Sequence, residues 1–156
     1  MTCPTNTYPS IPMTLEKLGI RWYWGEEKWQ DYYYLGNTRI IDAAVYWKEN
    51  SYLSGTLMCL SFQFQKHLSL GRGGAILCDK EYTYNALKAM SYDGRAPNIP
   101  WKDQDIKHIG YHYYMTPETA QQGIDKLPSA IETTPKTWTS TDYPDLRNMT
   151  VFKTLR

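Results

Sequence analysis

The sequence is short of cysteine, of net charge and of long apolar runs, and each shortage removes a class of protein. Cys3, Cys59 and Cys78 are an odd number with no Cys-x-x-Cys pair, which argues against a disulfide framework and against a cysteine metal site. Two of them lie inside apolar runs, MCLSF and AILCD, so the thiols read as reduced and buried, in a cytoplasmic protein. Lys+Arg 17 against Asp+Glu 16 leaves a formal net charge of +1. No global field then draws the chain to nucleic acid or to a membrane surface, and neither is expected as a partner. No apolar run is long enough to span a bilayer, and MTCPTNTYPS has neither the basic nor the apolar region of a signal peptide. His67, His108 and His112 have no ligand spacing with each other or with the cysteines, so no metal is expected. There is no internal repeat.

What remains is a chain of 156 residues with 42% hydrophobic content, enough for one α/β or mixed domain with a real core. Aromatic residues are plentiful, Trp 6 and Tyr 14, and cluster in RWYWGEEKW, DYYYLG and GYHYYM. These read as core and interface rather than a base-stacking surface, because few basic residues interleave with them. Pro12, Met13, Leu15 and Leu18 followed by Gly19 predict a short first helix, and IRWYW a strand. The β-branched run TRIIDAAVYW ends its first half on Asp42. Leu57–Phe62 and Ala75–Cys78 are short continuous apolar runs of the kind found in strands covered on both faces, and should be neighbours in one sheet. KEYTYNALKAMSYDG predicts a helix with Tyr82, Leu87 and Met90 on one side. Thr116-Pro117-Glu118 is a helix start with a cap, a first-turn proline and a first-turn acid. From Pro128 onward the tail is rich in Thr, Ser and Pro, and no periodic element is expected in it.

The residues with the clearest chemical spacing are SFQFQKHLSLGRGGAIL, Ser61 to Leu77, with IIDAA before them and DIKHIGYHYYMT after them. Taken singly, each has a bland reading. Lys66 would be a solvated surface lysine, Asp42 a turn residue, and Ser61 a partner for a backbone group. GRGG lacks the Lys-Ser/Thr of a phosphate-binding P-loop. Together they hold a lysine in the connection between two buried strands, where a loop leaving a rigid element can aim an amine. Gly71, Gly73 and Gly74 then let the backbone turn back tightly into the next strand.

The string from Ser61 matches every fixed position of the pattern S-F-x-x-x-K-x-L-x-x-G-x-G-G, and so resembles the lysine motif of the DegT/DnrJ/StrS aminotransferases. The likeness runs over roughly Thr7 to Leu127. It implies an α/β fold, a partial large domain of the pyridoxal 5'-phosphate (PLP) dependent transferase fold, that of aspartate aminotransferase (type I), over residues 1–127. Residues 128–156 would be an irregular tail in place of the small domain. By the same resemblance Lys66 would be the Schiff-base lysine and the acid/base of the proton shift, and Asp42 the partner of the cofactor ring nitrogen. Ser61 would be a phosphate contact, and His112 would reach the phosphate of a neighbouring subunit, where most members carry asparagine. The implied reaction moves an amino group from an amino acid such as glutamate to a nucleotide-linked keto-sugar. Val45 stands where the family usually has Gln or His, and Tyr114 where many members have Arg. The Tyr-Met-Thr-Pro run and compact spacing are similar to short, divergent members from marine viral genomes. The family's phosphate-binding helix would lie before Met1, so a shortened or split member is expected. It would act as a homodimer or with a separate N-terminal piece. The alternative expectation is a catalytically degenerate remnant serving as a scaffold or partner.

Overall fold

The structure, a computed structural model, describes residues 1–154. Its centre is a four-stranded mixed sheet in the order β3-β4-β5-β6, formed by Tyr33–Tyr34, Ile40–Asp42, Leu57–Ser61 and Gly74–Leu77. β4 and β5 run parallel, with Ile41 opposite Met58, while β3 pairs antiparallel with β4 and β6 antiparallel with β5. The two apolar runs read from the sequence are therefore adjacent strands, and Lys66 lies in their connection. A separate parallel pair joins β1 (Thr2–Pro4) to β2 (Tyr23–Gly25) across the first helix, α1 (Ser10–Lys17). Gly19 ends that helix with φ +64°, a backbone state that costs glycine least.

The cores are small and follow these elements. Ile41, Ala43 and Met58 are buried under the sheet with Tyr46, Leu53 and Leu77 packed around them. Cys3, Leu15 and Trp22 form a second cluster between α1 and the β1–β2 pair. Leu68 and Leu70 from the lysine loop meet Ala130 in a third. Trp22 and Trp24 pack edge to face with centroids 4.6 Å apart, and Trp29 is buried as well, so the tryptophans of RWYWGEEKW belong to the core or pack against it, while Tyr23 is exposed. Cys3 is buried, but Cys59 and Cys78 are only half-buried, which corrects the reading of all three thiols as interior.

Four further expectations change. The strand read over Ile20–Trp24 begins only at Tyr23. The run from Thr38 to Trp47 is extended only to Asp42, because the Asp42 carboxylate accepts from Ala44 N at 3.0 Å and turns the chain. β6 is not covered on both faces: Ile76 is 47% exposed. The cause is that α2 (Glu81–Ser91) buries no residue and α3 (Pro117–Glu132) buries only Ala130, so neither helix blankets the sheet. α3 starts as read, with Thr116 Oγ1 accepting from Thr119 N, but it continues through Pro128 to Glu132. Proline there removes one N–H, and side chains outside the helix hold the last turn: Trp47 Nε1 donates to Ala130 O at 3.1 Å, and His67 Nε2 lies 2.7 Å from the same oxygen.

The tail is ordered rather than irregular. It forms two 3₁₀ turns, Ser140–Asp142 and Leu146–Asn148, and a last short helix, α4 (Thr150–Thr154). Ser140 N donates to Trp29 O and Leu146 N to Thr5 O, both at 2.9 Å. Leu146 is fully buried and Phe152 packs edge to face against Trp24 at 5.5 Å. The tail thus closes over the first third of the chain. Among the described residues no helix is long and apolar enough to cross a membrane.

Candidate active site

The loop between β5 and β6 is fastened at several points. Leu70 N donates to Phe62 O and Phe62 N to Gly73 O, each at 2.9 Å, which pins the base. Within it Lys66 N donates to Gln63 O, Gln65 N to Gln63 Oε1, and Ser69 Oγ to Phe64 O. Lys126 of α3 reaches the Ser69 carbonyl at 2.8 Å. Gly71 and Gly73 have φ +81° and +100°. Gly74 is needed for space: a Cβ there would run into Leu60 O on the paired strand. A lysine on a loop held this way has little freedom left in its main chain.

Lys66 opens into a cavity of about 230 Å³ between the lysine loop, the turn after β4 and the tail. Ser61, Gln65 and His67 share that wall, with Val45, Tyr46 and Trp47 from the turn and Pro135, Lys136 and Trp138 from the tail. No acidic side chain lines it among the described residues. Burial lowers the Lys66 pKa from its ordinary value, and the negative charge of Asp42 opposes this. Its Nζ stands 5.8 Å from the centre of the Trp138 ring. Ser61 Oγ accepts from Gln63 N at 3.3 Å, which leaves its hydroxyl proton free to donate. A wider groove of about 870 Å³ continues past Trp47 along Tyr52, Leu127 and Thr133–Thr137.

Asp42 does not line this wall, although the next two residues, Ala43 and Ala44, do. Its Oδ2 accepts from the Tyr33 hydroxyl at 2.6 Å and its Oδ1 from Ala44 N at 3.0 Å. The turn role that its position at a strand end suggests is therefore present. Its charge is nonetheless felt across the neighbourhood. Burial first, and then Asp42, raises the Tyr33 hydroxyl, the Cys59 thiol to about 11 and the Cys3 thiol to about 12. His112 is distant in role as well: its Nδ1 lies 2.9 Å from Asp93 Oδ2, its ring packs against Tyr114 at 4.6 Å, and its side chain is 70% exposed. Within one chain, then, Lys66 and Ser61 share a cavity, while Asp42 and His112 do not line it.

Three residues that wall the cavity had no role in the sequence reading. Trp47 and His67 tie the turn and the loop to the end of α3. Trp138 is clamped by Asp31, whose N donates to Trp138 O at 2.7 Å and whose Oδ1 accepts from Trp138 N at 3.2 Å. The only sequence cue was the pairing of a cation with an aromatic residue in PKTW, inside a stretch without period.

Residues 48–138 match the DegT/DnrJ/EryC1/StrS aminotransferase family. That span is more than half of the chain, and the chain belongs to this family. It includes Ser61, Lys66, His112 and the tail residues of the cavity wall, and leaves Asp42 outside. Among solved structures, a Bacillus cereus ATCC 10987 protein assigned to the PLP-dependent aminotransferases is similar at 19% identity and TM-score 0.47. The likeness covers 81% of this chain and 31% of that one, and it is too loose to carry an argument. No curated protein matches.

Proposed function

We propose that this chain carries the lysine-bearing part of a PLP-dependent aminotransferase site, acting between an amino acid such as glutamate and a nucleotide-linked keto-sugar. Family membership supports the class of reaction. The carrying observation is the Lys66 amine, half-buried on a braced loop in a cavity shared with Ser61. When bound, PLP supplies an aldehyde and an electron-withdrawing ring. Lys66 would be the residue that holds PLP through its amine, and burial, which lowers its pKa, favours the neutral form that such attachment needs. The same amine would serve as the acid and base for proton movement in the site. Ser61 donates to the phosphate. Asp42 is the proposed partner of the ring nitrogen, and each of its oxygens keeps a lone pair beyond the Tyr33 and Ala44 contacts. His112, exposed with its ring against Tyr114, is proposed to serve a second copy in a cytoplasmic homodimer. The test is to add PLP, reduce with borohydride and map the label. Lys66 should dominate over exposed Lys80, and label spread evenly over surface lysines would overturn the reading.

One observation favours a second reading, a degenerate remnant that acts as a scaffold or as partner of a separate N-terminal piece. The carboxylate of Asp42 is occupied by Tyr33 and Ala44 of its own chain and does not line the cavity, where Val45 offers no hydrogen bond. An adduct at Lys66 whose absorbance does not change with glutamate would support this remnant.

A further inference from the structure

We propose that Lys136 is an anion contact of the Lys66 cavity, holding the phosphate of a phosphorylated aromatic aldehyde beside the reactive amine. This rests on the role given to Lys66 above. The charged side chains of the lining are Lys66 and Lys136, with no carboxylate in the wall itself, while Asp142 pairs with Lys136 from outside it. A cavity of that kind favours an anion, and its partial enclosure strengthens the attraction relative to open water. The two ammonium groups face one ring, Lys136 Nζ at 3.7 Å and Lys66 Nζ at 5.8 Å from the Trp138 centroid.

Lys136 is placed rather than loose. Its Nζ donates to Asp142 Oδ1 at 2.8 Å, and Asp142 Oδ2 is itself held by Thr139 N at 2.8 Å. The Trp138 backbone beneath it is fixed to Asp31 on both sides. An ammonium group has three donors. With one given to Asp142 and one face resting on the indole, a donor remains for a ligand in the cavity. Ser61 adds a hydroxyl to the same lining. The tail residue thus completes a site whose reactive group lies far earlier in the sequence.

The experiment compares PLP with pyridoxal, which has the same aldehyde and no phosphate, by borohydride reduction and mass-spectrometric mapping of Lys66. In the unaltered protein PLP should label Lys66 at lower concentration than pyridoxal. Lys136→Met should raise the PLP concentration for half-labelling about tenfold, equal to about 1.4 kcal/mol, and leave pyridoxal labelling unchanged. Lys136→Arg should restore the preference. Loss of PLP and pyridoxal labelling to the same degree in Lys136→Met would overturn the proposal, as would no change with either. If neither reagent labels Lys66 in the unaltered protein, the function proposed above fails. The anion contact is then decided by titrating inorganic phosphate calorimetrically: saturable binding lost in Lys136→Met upholds it, and binding that is absent or unchanged sinks it.

Discussion

The Tyr33 hydroxyl donates a 2.6 Å hydrogen bond to Asp42 Oδ2, joining the first and second strands of the central sheet through a side-chain pair as well as through the backbone ladder. Thr7 Oγ1 bonds to the same hydroxyl and extends the link to the chain before α1. Tyr33→Phe keeps the ring and removes the donor. The expected loss is about 1–3 kcal/mol in urea denaturation, the cost of a charged acceptor deprived of its partner.

The same pair sets a pH dependence. Burial, and then the adjacent carboxylate, raises the Tyr33 pKa in the folded state, so the native protein holds this proton more tightly than the unfolded chain. The resulting stability is fully present below the ordinary tyrosine value of about 10 and is lost as pH rises beyond it. Cys3 and Cys59, raised to about 12 and about 11, begin an earlier decline from about pH 9. Denaturation midpoints measured across pH 8 to 11 should fall for the native sequence and fall less steeply above pH 10 for Tyr33→Phe. Parallel curves would show that Tyr33 ionises freely.

Lys66 has the opposite sign. Its folded pKa is lowered by burial, so the unfolded chain binds the proton better and stability rises as pH approaches the ordinary lysine value. Keeping the amine in the cavity costs stability at neutral pH. Lys66→Met should therefore melt at a higher temperature than the native sequence at pH 7, with the difference closing as pH rises to about 10.4. Equal melting at every pH would mean that the amine is fully solvated.

The closure of the tail is tested by Leu146, which is fully buried against the first third of the chain. Leu146→Ala should lose about 2–5 kcal/mol, as large-to-small changes in packed interiors do. It should also weaken Lys66 labelling, because Lys136 and Trp138 reach the cavity through the same ordered tail.

How much of this was legible in the sequence depends on what holds each part. β5 and β6 announced themselves because Leu57–Phe62 and Ala75–Cys78 are short, mostly apolar runs on either side of a glycine-containing loop, a local signal, and the strands fall within one residue of them. The cap of α3 at Thr116 was legible for the same reason. The tail was not: Leu146 and Phe152 are single apolar residues among polar ones, and their burial follows from long-range bonds to Thr5 and Trp29 that no periodicity records. For the site, the spacing Ser61, Lys66, Gly73 and Gly74 pointed to one loop. It gave no sign that Asp42 would be held by Tyr33, or that Trp138 and Lys136 would supply a wall from far along the chain.

The glycines after Lys66 give a last prediction, because two of them are present for different reasons. Gly71 has φ +81° with open space around the missing side chain, so Gly71→Ala meets only backbone strain, about 1–2 kcal/mol. Gly74 pairs with Ser61 in the β5–β6 ladder, and a Cβ there would collide with Leu60 O. Backbone cannot swing aside as a side-chain tip can, so the strands must part at the pair that holds Ser61. Gly74→Ala should then cost more in urea denaturation than Gly71→Ala and should reduce PLP labelling of Lys66, while Gly71→Ala leaves most of that labelling in place. Equal stability losses, with labelling intact in both variants, would show that β5 and β6 separate at this end without disturbing the lysine loop.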